Sequence, residues 1–423
     1  TGTVRAVVAT GCLVQRDKDE LAEEIPEVDL FLGTAEVHRL VPELSARGLL
    51  PARGADTPLM ERPLRALATE AVHSAHLKIS EGCDHGCAFC AIPLMRGRDR
   101  SVPIERLVRE ARELEARGVV ELNLVSQDTT WYGRDWRRGI PADDGAWFVG
   151  RPFDGMAGPH AEPAATVARA GGPAGANGTT PGHGALPELL RALLRETSIP
   201  WLRLFYMYPS GISRPLVELI AAEPRIVPYL DMPIQHGSDR ILERMRRPER
   251  QATIRERVRW LRDGIPDLAL RTTVIVGFPG ETDEDFEELL ALLEELRFDH
   301  VGAFAFSPEE GTPAASMPEQ IDQALKRERL ERLLELQRGI SLERNEARVG
   351  REVSVLVDLA GSGEDGCAGT GRTQAQAPEV DGVVHLRGGR RLRPGEFVRA
   401  RLEEADEYDL FARVLDDRGQ GWP

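Results

Sequence analysis

Three cysteines stand inside eight residues, Cys83-Asp-His-Gly-Cys87-Ala-Phe-Cys90. The spacing C-x-x-x-C-x-x-C supplies three thiolates from one short loop and no fourth. Iron–sulfur clusters are ordinarily held by four cysteine thiolates. A three-thiolate loop therefore leaves one iron with an open position, as catalytic metal centres do, and a small molecule can chelate there. Zinc is the first alternative, with His85, His73 or His76 as a fourth ligand, but zinc ligands usually come as paired C-x-x-C or H-x-x-x-H sets. A bacterial ferredoxin run continues to a further cysteine before proline, whereas Ala91-Ile92-Pro93 follows here. Inert burial is the remaining alternative, and three cysteines so close together are hard to explain as core filling. The cluster reading outweighs them.

Composition bounds the rest. A chain of 423 residues has room for roughly two or three domains and a sizeable core. No apolar run reaches membrane-spanning length, and Thr1-Gly2-Thr3-Val4-Arg5 is no signal peptide; no membrane partner is expected. Five cysteines, an odd number, do not make a disulfide framework. Their place is a reducing cytoplasm. The 69 acidic residues outnumber the 54 basic ones, for a net charge of -15. Nucleic-acid binding rests on Lys and Arg neutralising phosphates, so this balance argues against an RNA duplex as the main partner. It favours a basic partner, although a local basic groove is compatible with a negative total.

The middle of the chain alternates strand and helix. Strand-like runs occur at His76–Ser80, Val119–Ser126, Trp201–Tyr206, Val227–Met232, Leu270–Val276 and His300–Phe306. Helical patterns lie between most of them, at Ile104–Arg117, Leu186–Thr197, Ser213–Glu223, Ser238–Gly264 and Thr282–Arg297. Thr282 and Asp285 suggest a capping box, and Pro103 sits where a first helical turn tolerates it. Strands joined by helices imply parallel pairing through right-handed crossovers. The expected fold class is α/β, a partial (β/α)6 barrel over residues 76–321. Barrels of this kind place active sites at the C-terminal ends of their strands, which is where the cysteine loop falls.

Residues 137–184 break the pattern. They are rich in Gly, Pro, Ala and His, bury too little apolar surface to offset their ordering entropy, and read as a disordered insertion. His160 and His183 there read as solvated loop histidines rather than metal ligands. A charged helix over about 322–349 leads from the barrel into short alternating strands at Glu352–Asp358, Gly382–Leu386, Glu396–Leu402 and Tyr408–Val414. Residues 350–415 read as a small all-β barrel, with Cys367 as a free loop thiol. An N-terminal α/β fragment, 1–50, and a linker, 51–75, precede the core.

Several longer motifs now carry a resemblance. The run His76-Leu-Lys-Ile-Ser-Glu-Gly-Cys83 through Arg96-Gly97-Arg98-Asp99-Arg100-Ser101 resembles the radical S-adenosylmethionine (SAM) methylthiotransferases, which replace a C–H with a C–S–CH3 group. So do Arg271-Thr-Thr-Val-Ile-Val-Gly277-Phe-Pro-Gly-Glu281-Thr and the C-terminal barrel, which looks like a TRAM domain. The segments Gln127-Asp128-Thr129-Thr130, Tyr229 to Asp239 with His236, and Ala91 to Gly97 are similar to the RimO branch, which modifies an aspartate of ribosomal protein S-twelve. The transfer-RNA branch is less similar, having asparagine after the glutamine and serine in place of His236. The acidic stretch Glu403 to Asp409 suits a basic ribosomal protein, with Arg387, Arg390, Arg391 and Arg393 as the one opposing basic cluster. A non-catalytic ribosome-binding homologue is a third reading.

The resemblance implies a chemistry. Cys83, Cys87 and Cys90 would hold a 4Fe–4S cluster whose open iron is chelated by SAM, and one electron from a donor such as flavodoxin or ferredoxin would yield a 5′-deoxyadenosyl radical. Phe89 would pack near the adenine, Gln127 and Asp128 would meet the methionine amino group, and Gly277 would allow close backbone approach to the nucleoside. Sulfur would come from an auxiliary 4Fe–4S cluster held by three cysteines of the family's N-terminal domain. Cys12, in Val7-Val-Ala-Thr-Gly11-Cys12, matches the third of them, and its two partners are absent. The second cluster is therefore expected to be incomplete here, in a truncated sequence or an impaired enzyme.

Overall fold

The computed structural model describes residues 4–50, 73–136, 185–362, 366–389 and 391–415. The expected insertion at 137–184, most of the 51–75 linker and Arg390 lie outside the described residues. Among those described, no helix is long and apolar enough to cross a membrane.

In the N-terminal unit, β1 (Val8–Gly11) and β2 (Leu30–Gly33) pair in parallel across the helix α1 (Cys12–Glu24), and α2 (Leu40–Ala46) follows. Parallel neighbours need such a crossover. Cys12 opens α1 directly after the strand and is half-buried. The core begins with β3 (Ser74–Lys78). Next come β4 (Ser80–Glu81), α3 (Ile92–Arg96) and β5 (Arg100–Ser101), the two short strands pairing antiparallel. Thr34 Oγ donates to the Met95 carbonyl at 3.1 Å, tying the N-terminal unit to α3.

Strand and helix then alternate through α4 (Ile104–Ala116), β6 (Glu121–Val125), α5 (Leu186–Glu196), β7 (Trp201–Leu204), α6 (Arg214–Ala222) and β8 (Ile226–Asp231). They continue with α7 (Asp239–Arg244), α8 (Gln251–Gly264), β9 (Ala269–Val276), α9 (Asp283–Leu296) and β10 (His300–Ala305). Six strands form one parallel sheet in the order β10-β9-β8-β7-β6-β3, the expected partial barrel. Such strands are covered on both faces and read as nearly continuous apolar runs; Leu122, Leu124, Leu202, Leu204, Leu230 and Leu270 are fully buried. On α4, Leu107, Ala111 and Leu114 form the buried stripe that helical periodicity requires.

The helix expected over Ser238–Gly264 is instead two, α7 and α8. Pro248 lacks an amide donor and disfavours a helical residue before it, and Arg246 adopts a left-handed φ of 57°. The break leaves Arg247 and Glu249 buried between the helices, where Arg247 serves the site described below. After β10, α10 (Gln323–Glu346) is capped by Asp322, whose carboxylate accepts from the Ala324 amide at 2.8 Å. It straps β9 and β10, and Arg344 and Arg348 grip the buried Asp299 at 2.8 and 2.7 Å.

The C-terminal unit is a closed barrel, in the order β11-β12-β13-β15-β14, of β11 (Glu352–Ala360), β12 (Cys367–Arg372), β13 (Val384–Arg387), β14 (Phe397–Ala405) and β15 (Leu410–Val414). β12 was not expected. Its sequence Cys-Ala-Gly-Thr-Gly-Arg lacks strand-forming alternation, because a Cβ at Gly369 would stand 2.4 Å from the Leu359 carbonyl oxygen of the neighbouring strand. Cys367 is exposed, as expected, but opens this strand rather than lying in a loop. The acidic stretch is laced with arginines rather than bare: Glu403 pairs with Arg413 at 2.7 Å and Glu404 with Arg387 at 2.9 Å.

This small barrel closes the base of the large one. Trp201, Val227 and Ala269, at the starts of β7, β8 and β9, pack with Leu356 and Ala377. Beside them lies a buried ionic network. Glu121, at the start of β6, pairs with Arg203 at 3.0 Å and Arg372 at 2.7 Å. Arg372 also grips Asp358 at 2.8 Å, and Asp358 meets His73 at 2.9 Å. Burial works against the Glu121 charge, yet the two guanidiniums hold its carboxyl below the usual range. Tyr229 Oη donates to Asp381 at 2.8 Å, bringing the segment after β12 under the sheet.

Removing one member of a buried ionic network strands the others without water. Arg372→Met should therefore cost about 3 kcal/mol or more in chemical denaturation. A loss below about 1 kcal/mol, the range of exposed pairs, would mean that this network does not join the two barrels.

Candidate functional site

The cysteine loop leaves the C-terminal end of β3 and is held from three directions. Gly82 has a φ of 80°, and a Cβ there would lie 2.2 Å from the Arg98 carbonyl oxygen, so only glycine lets the two sides of the loop approach. The Cys83 amide donates to the Gly97 carbonyl at 3.0 Å. The Ala88 amide donates to Met245 O at 3.0 Å, and Ala88 O accepts from the Ala314 amide at 2.8 Å. Met245 lies at the end of α7 and Ala314 in the turn after β10, so distant segments set the loop's shape.

The surroundings of the sulfurs suit a metal cluster. Cys83 and Cys87 are buried and Cys90 is half-buried. Burial pushes the Cys83 and Cys90 thiols upward, and the neighbouring cysteines add to it. Thiols so placed ionise only against a compensating positive charge, and metal binding supplies one by displacing the protons. Donors already point at the sulfurs. The His85 and Ile92 amides face Cys83 and Cys90, Tyr208 Oη lies 3.5 Å from Cys87 Sγ, and Arg247 Nη1 lies 3.9 Å from it. Arg247 is fixed in turn by the Pro233 carbonyl at 2.9 Å, by Glu249 at 3.2 Å and over the Tyr208 ring at 3.9 Å.

The histidines proposed as zinc ligands are placed otherwise. His85 Nε2 meets Asp128 Oδ2 at 2.8 Å, and its ring stacks on Tyr208 with centroids 3.9 Å apart. His73 belongs to the ionic network at the base, and His76 is exposed on β3. No three His, Cys, Asp or Glu side chains among the described residues converge on one metal ion.

The other expected site residues fall around the same end of the sheet. Phe89 packs against Ala88, Ile241, Met245, Phe278 and Phe306. Gln127 is half-buried in the turn after β6. Asp128 is buried and already engaged, its Oδ1 accepting from the Thr130 amide at 2.9 Å and the Thr130 hydroxyl at 2.6 Å. Gly277 follows β9 with a φ of 71°, and a Cβ there would meet the Lys326 side chain at 2.3 Å. Its amide donates to Glu281 Oε2 at 2.8 Å. Cys12 lies apart from this loop in sequence, in the N-terminal unit whose α1 packs on α3.

Sequence reasoning missed Tyr208, Arg247 and Trp131. Pro248 was the available signal for the helix break that turns Arg247 inward; nothing in the pattern around Tyr208 or Trp131 marks them. His236, noted for its residue type, is a latch. Its Nδ1 accepts from the Ser238 amide at 2.9 Å, which leaves Nε2 to donate to Glu281 at 3.2 Å. Glu281 also pairs with Arg329 at 2.7 Å, so the turns after β8 and β9 are locked to α10. Tyr206 and Phe304 stay exposed on the sheet, beside the Arg271–Asp231 pair at 3.1 Å.

Asp99, at the far side of the loop, carries a pH signature. Burial, with Asp135 beside it, pushes its carboxyl up to about 8. In the unfolded chain the group releases its proton near pH 4, about the ordinary aspartate value. The folded state therefore keeps a proton that the unfolded state has lost, and stability falls as pH rises through that window. Asp99→Asn should remove this dependence, so thermal denaturation at pH 5 and pH 9 should show a smaller drop in Tm than in the parent. An unchanged or larger drop would contradict the assignment.

Comparison with known proteins gives the family of the chain. A model of the radical SAM superfamily matches residues 77–293, and a TRAM domain model matches residues 349–415. A protein of Desulforudis audaxviator named ribosomal protein uS12 methylthiotransferase RimO is 43% identical over 98% of this chain and 82% of its own length. Relatives with the same name from Anaeromyxobacter and Geobacter sulfurreducens are 42% and 39% identical over 98% of this chain, and over 78% and 83% of their own. The chain belongs to the radical SAM methylthiotransferase family, in its RimO branch.

Proposed function

We propose that this chain methylthiolates an aspartate side chain of ribosomal protein S-twelve, with Cys83, Cys87 and Cys90 as the ligands of its 4Fe–4S cluster. The observation that carries the reading is the packing of these three cysteines, among aligned donors, at the C-terminal ends of the strands in a chain 43% identical to a RimO protein. When bound, the cluster and SAM supply a one-electron cleavage that yields a 5′-deoxyadenosyl radical, able to take hydrogen from a carbon that no side-chain base could deprotonate.

The chain's own residues set the conditions for that chemistry. The three thiolates would hold a 4Fe–4S cluster and, one short of the usual four, would leave a coordination position for SAM. Tyr208 and Arg247 bring a hydroxyl donor and a positive charge to the Cys87 sulfur, which favours the reduced state of a bound cluster. Phe89 offers the adenine an apolar wall. Gln127 and Asp128 stand where the methionine amino group is met, with the Asp128 carboxylate holding the turn in place. Gly277, its amide held by Glu281 and its open side packed by Lys326, would meet the nucleoside through its carbonyl. The exposed Tyr206, just after β7, and Phe304, on the edge strand β10, suit the approach of a protein side chain.

Sulfur delivery draws on a second cluster, for which Cys12 supplies one thiolate. Electrons come from a small carrier protein of the flavodoxin or ferredoxin type.

The test is an anaerobic assay of the iron-reconstituted chain with dithionite, SAM and either ribosomal protein S-twelve or undermodified transfer RNA. Cleavage of SAM is expected from the parent and at background from Cys87→Ala. A methylthio mass increment is expected on the S-twelve aspartate and not on the RNA. Modified RNA with unmodified S-twelve would move the chain to the transfer-RNA branch.

A further inference from the structure

Beside the cysteine loop lies an open cleft of about 680 Å³, formed by Asp84, His85 and Gly86 of the loop, by the turns after β6 and β7, and by the end of α7 with its link to α8. Its charge runs against that of the chain. Four arginines line it, Arg134, Arg246, Arg247 and Arg250, against the carboxylates of Asp84 and Glu243, while the whole chain carries -15. Arg246 is exposed and held outward by its left-handed backbone, and Arg134 lies over the Trp131 ring at 4.4 Å.

The wall of the cleft is also a line of touching aromatic rings. Trp131, half-buried at the cleft, lies 3.9 Å from the His85 ring. His85 lies 3.9 Å from Tyr208 in nearly parallel stacking, at 4°. Tyr208 Oη then lies 3.5 Å from Cys87 Sγ. A contiguous path of π systems thus runs from the cleft to one of the three proposed cluster ligands, with no gap wider than van der Waals contact.

We propose that this cleft is the docking surface for a small acidic flavin carrier protein of the flavodoxin class, and that Trp131, His85 and Tyr208 lead its electron to the cluster. The inference rests on the reading of Cys83, Cys87 and Cys90 as an electron-accepting site. Charge complementarity selects the partner: an acidic carrier is repelled by most of this chain and attracted at the arginine cleft, which steers it to the one face where the path begins. The half-exposed Trp131 ring suits contact with a flavin edge. In the transfer, the flavin hydroquinone is oxidised by one electron to the semiquinone, and the cluster is reduced by that electron from its 2+ to its 1+ state. No heavy atom moves, and the flavin proton stays with the carrier. RNA would also be drawn to arginines, but it has no use for an aromatic path to a thiolate.

The experiment compares the reconstituted full chain with R134E/R246E and with Trp131→Leu, using reduced flavodoxin or dithionite as electron source. For R134E/R246E, the dissociation constant for flavodoxin should rise about tenfold or more at low salt, while dithionite-driven SAM cleavage stays within about twofold of the parent. Parent binding should also weaken steeply with added salt. Trp131→Leu should slow the stopped-flow reduction of the cluster by the carrier even at carrier concentrations that saturate binding. Unchanged flavodoxin affinity in R134E/R246E would overturn the docking site, as would loss of RNA binding in place of carrier binding. Equal loss of the dithionite-driven and carrier-driven rates would overturn it too, by making these residues structural. Dithionite-driven cleavage in the parent checks the underlying cluster reading separately.

Discussion

Burying sulfur that has to carry negative charge is the constraint on which this structure's working end depends. The Cys83 and Cys90 thiols resist ionisation where they lie, and what would make them thiolates is a metal group and the donors aimed at it. Eight residues of loop cannot shape themselves for that purpose. The loop is held by Gly97 across its base, by Met245 at the end of α7 and by Ala314 beyond β10. The holds come from the loop's own connection, from the β8–β9 crossover and from the segment beyond β10, so the site depends on both halves of the sheet.

A parallel sheet has two unlike ends, and this chain treats them differently. At the N-terminal ends of the strands, the TRAM barrel contributes Leu356 and Ala377 to an apolar seam and Arg372 to a network with Glu121 and Arg203. Such a network adds little net stability over an apolar seam, but it is costly to break and it fixes register. At the C-terminal ends, turns rather than packed elements gather around the cysteine loop. The His236–Glu281–Arg329 latch keeps two of those turns in place without filling the space between them. A rigid base and an open, latched rim are what a site for a large protein substrate needs.

Much of this was legible in the sequence. The six strands of the sheet were visible because helices cover them on one side and the lumen on the other, so each reads as an apolar run. The cysteine spacing needed no fold at all. The failures have physical causes. Pro248 was outweighed by the helical periodicity on either side of it, so the kink that brings Arg247 to Cys87 went unread. β12 was hidden because close approach of Leu359 demands glycine where strands usually carry branched residues. The placement of Tyr208 and Trp131 could not be foreseen, since an aromatic in a turn is as consistent with packing as with a path to a cluster. The pairing of the acidic stretch of the TRAM barrel with Arg387 and Arg413 was not legible either, because it depends on which strands lie side by side.

The central claim is that three thiolates hold a cluster with one iron open to SAM. Electron paramagnetic resonance of the anaerobically reconstituted, reduced chain, recorded with and without SAM alongside iron and zinc analysis, tests it most directly. The account predicts at least about four irons per chain and a reduced-cluster signal that shifts when SAM is added. A signal indifferent to SAM, or stoichiometric zinc in place of iron, would contradict it.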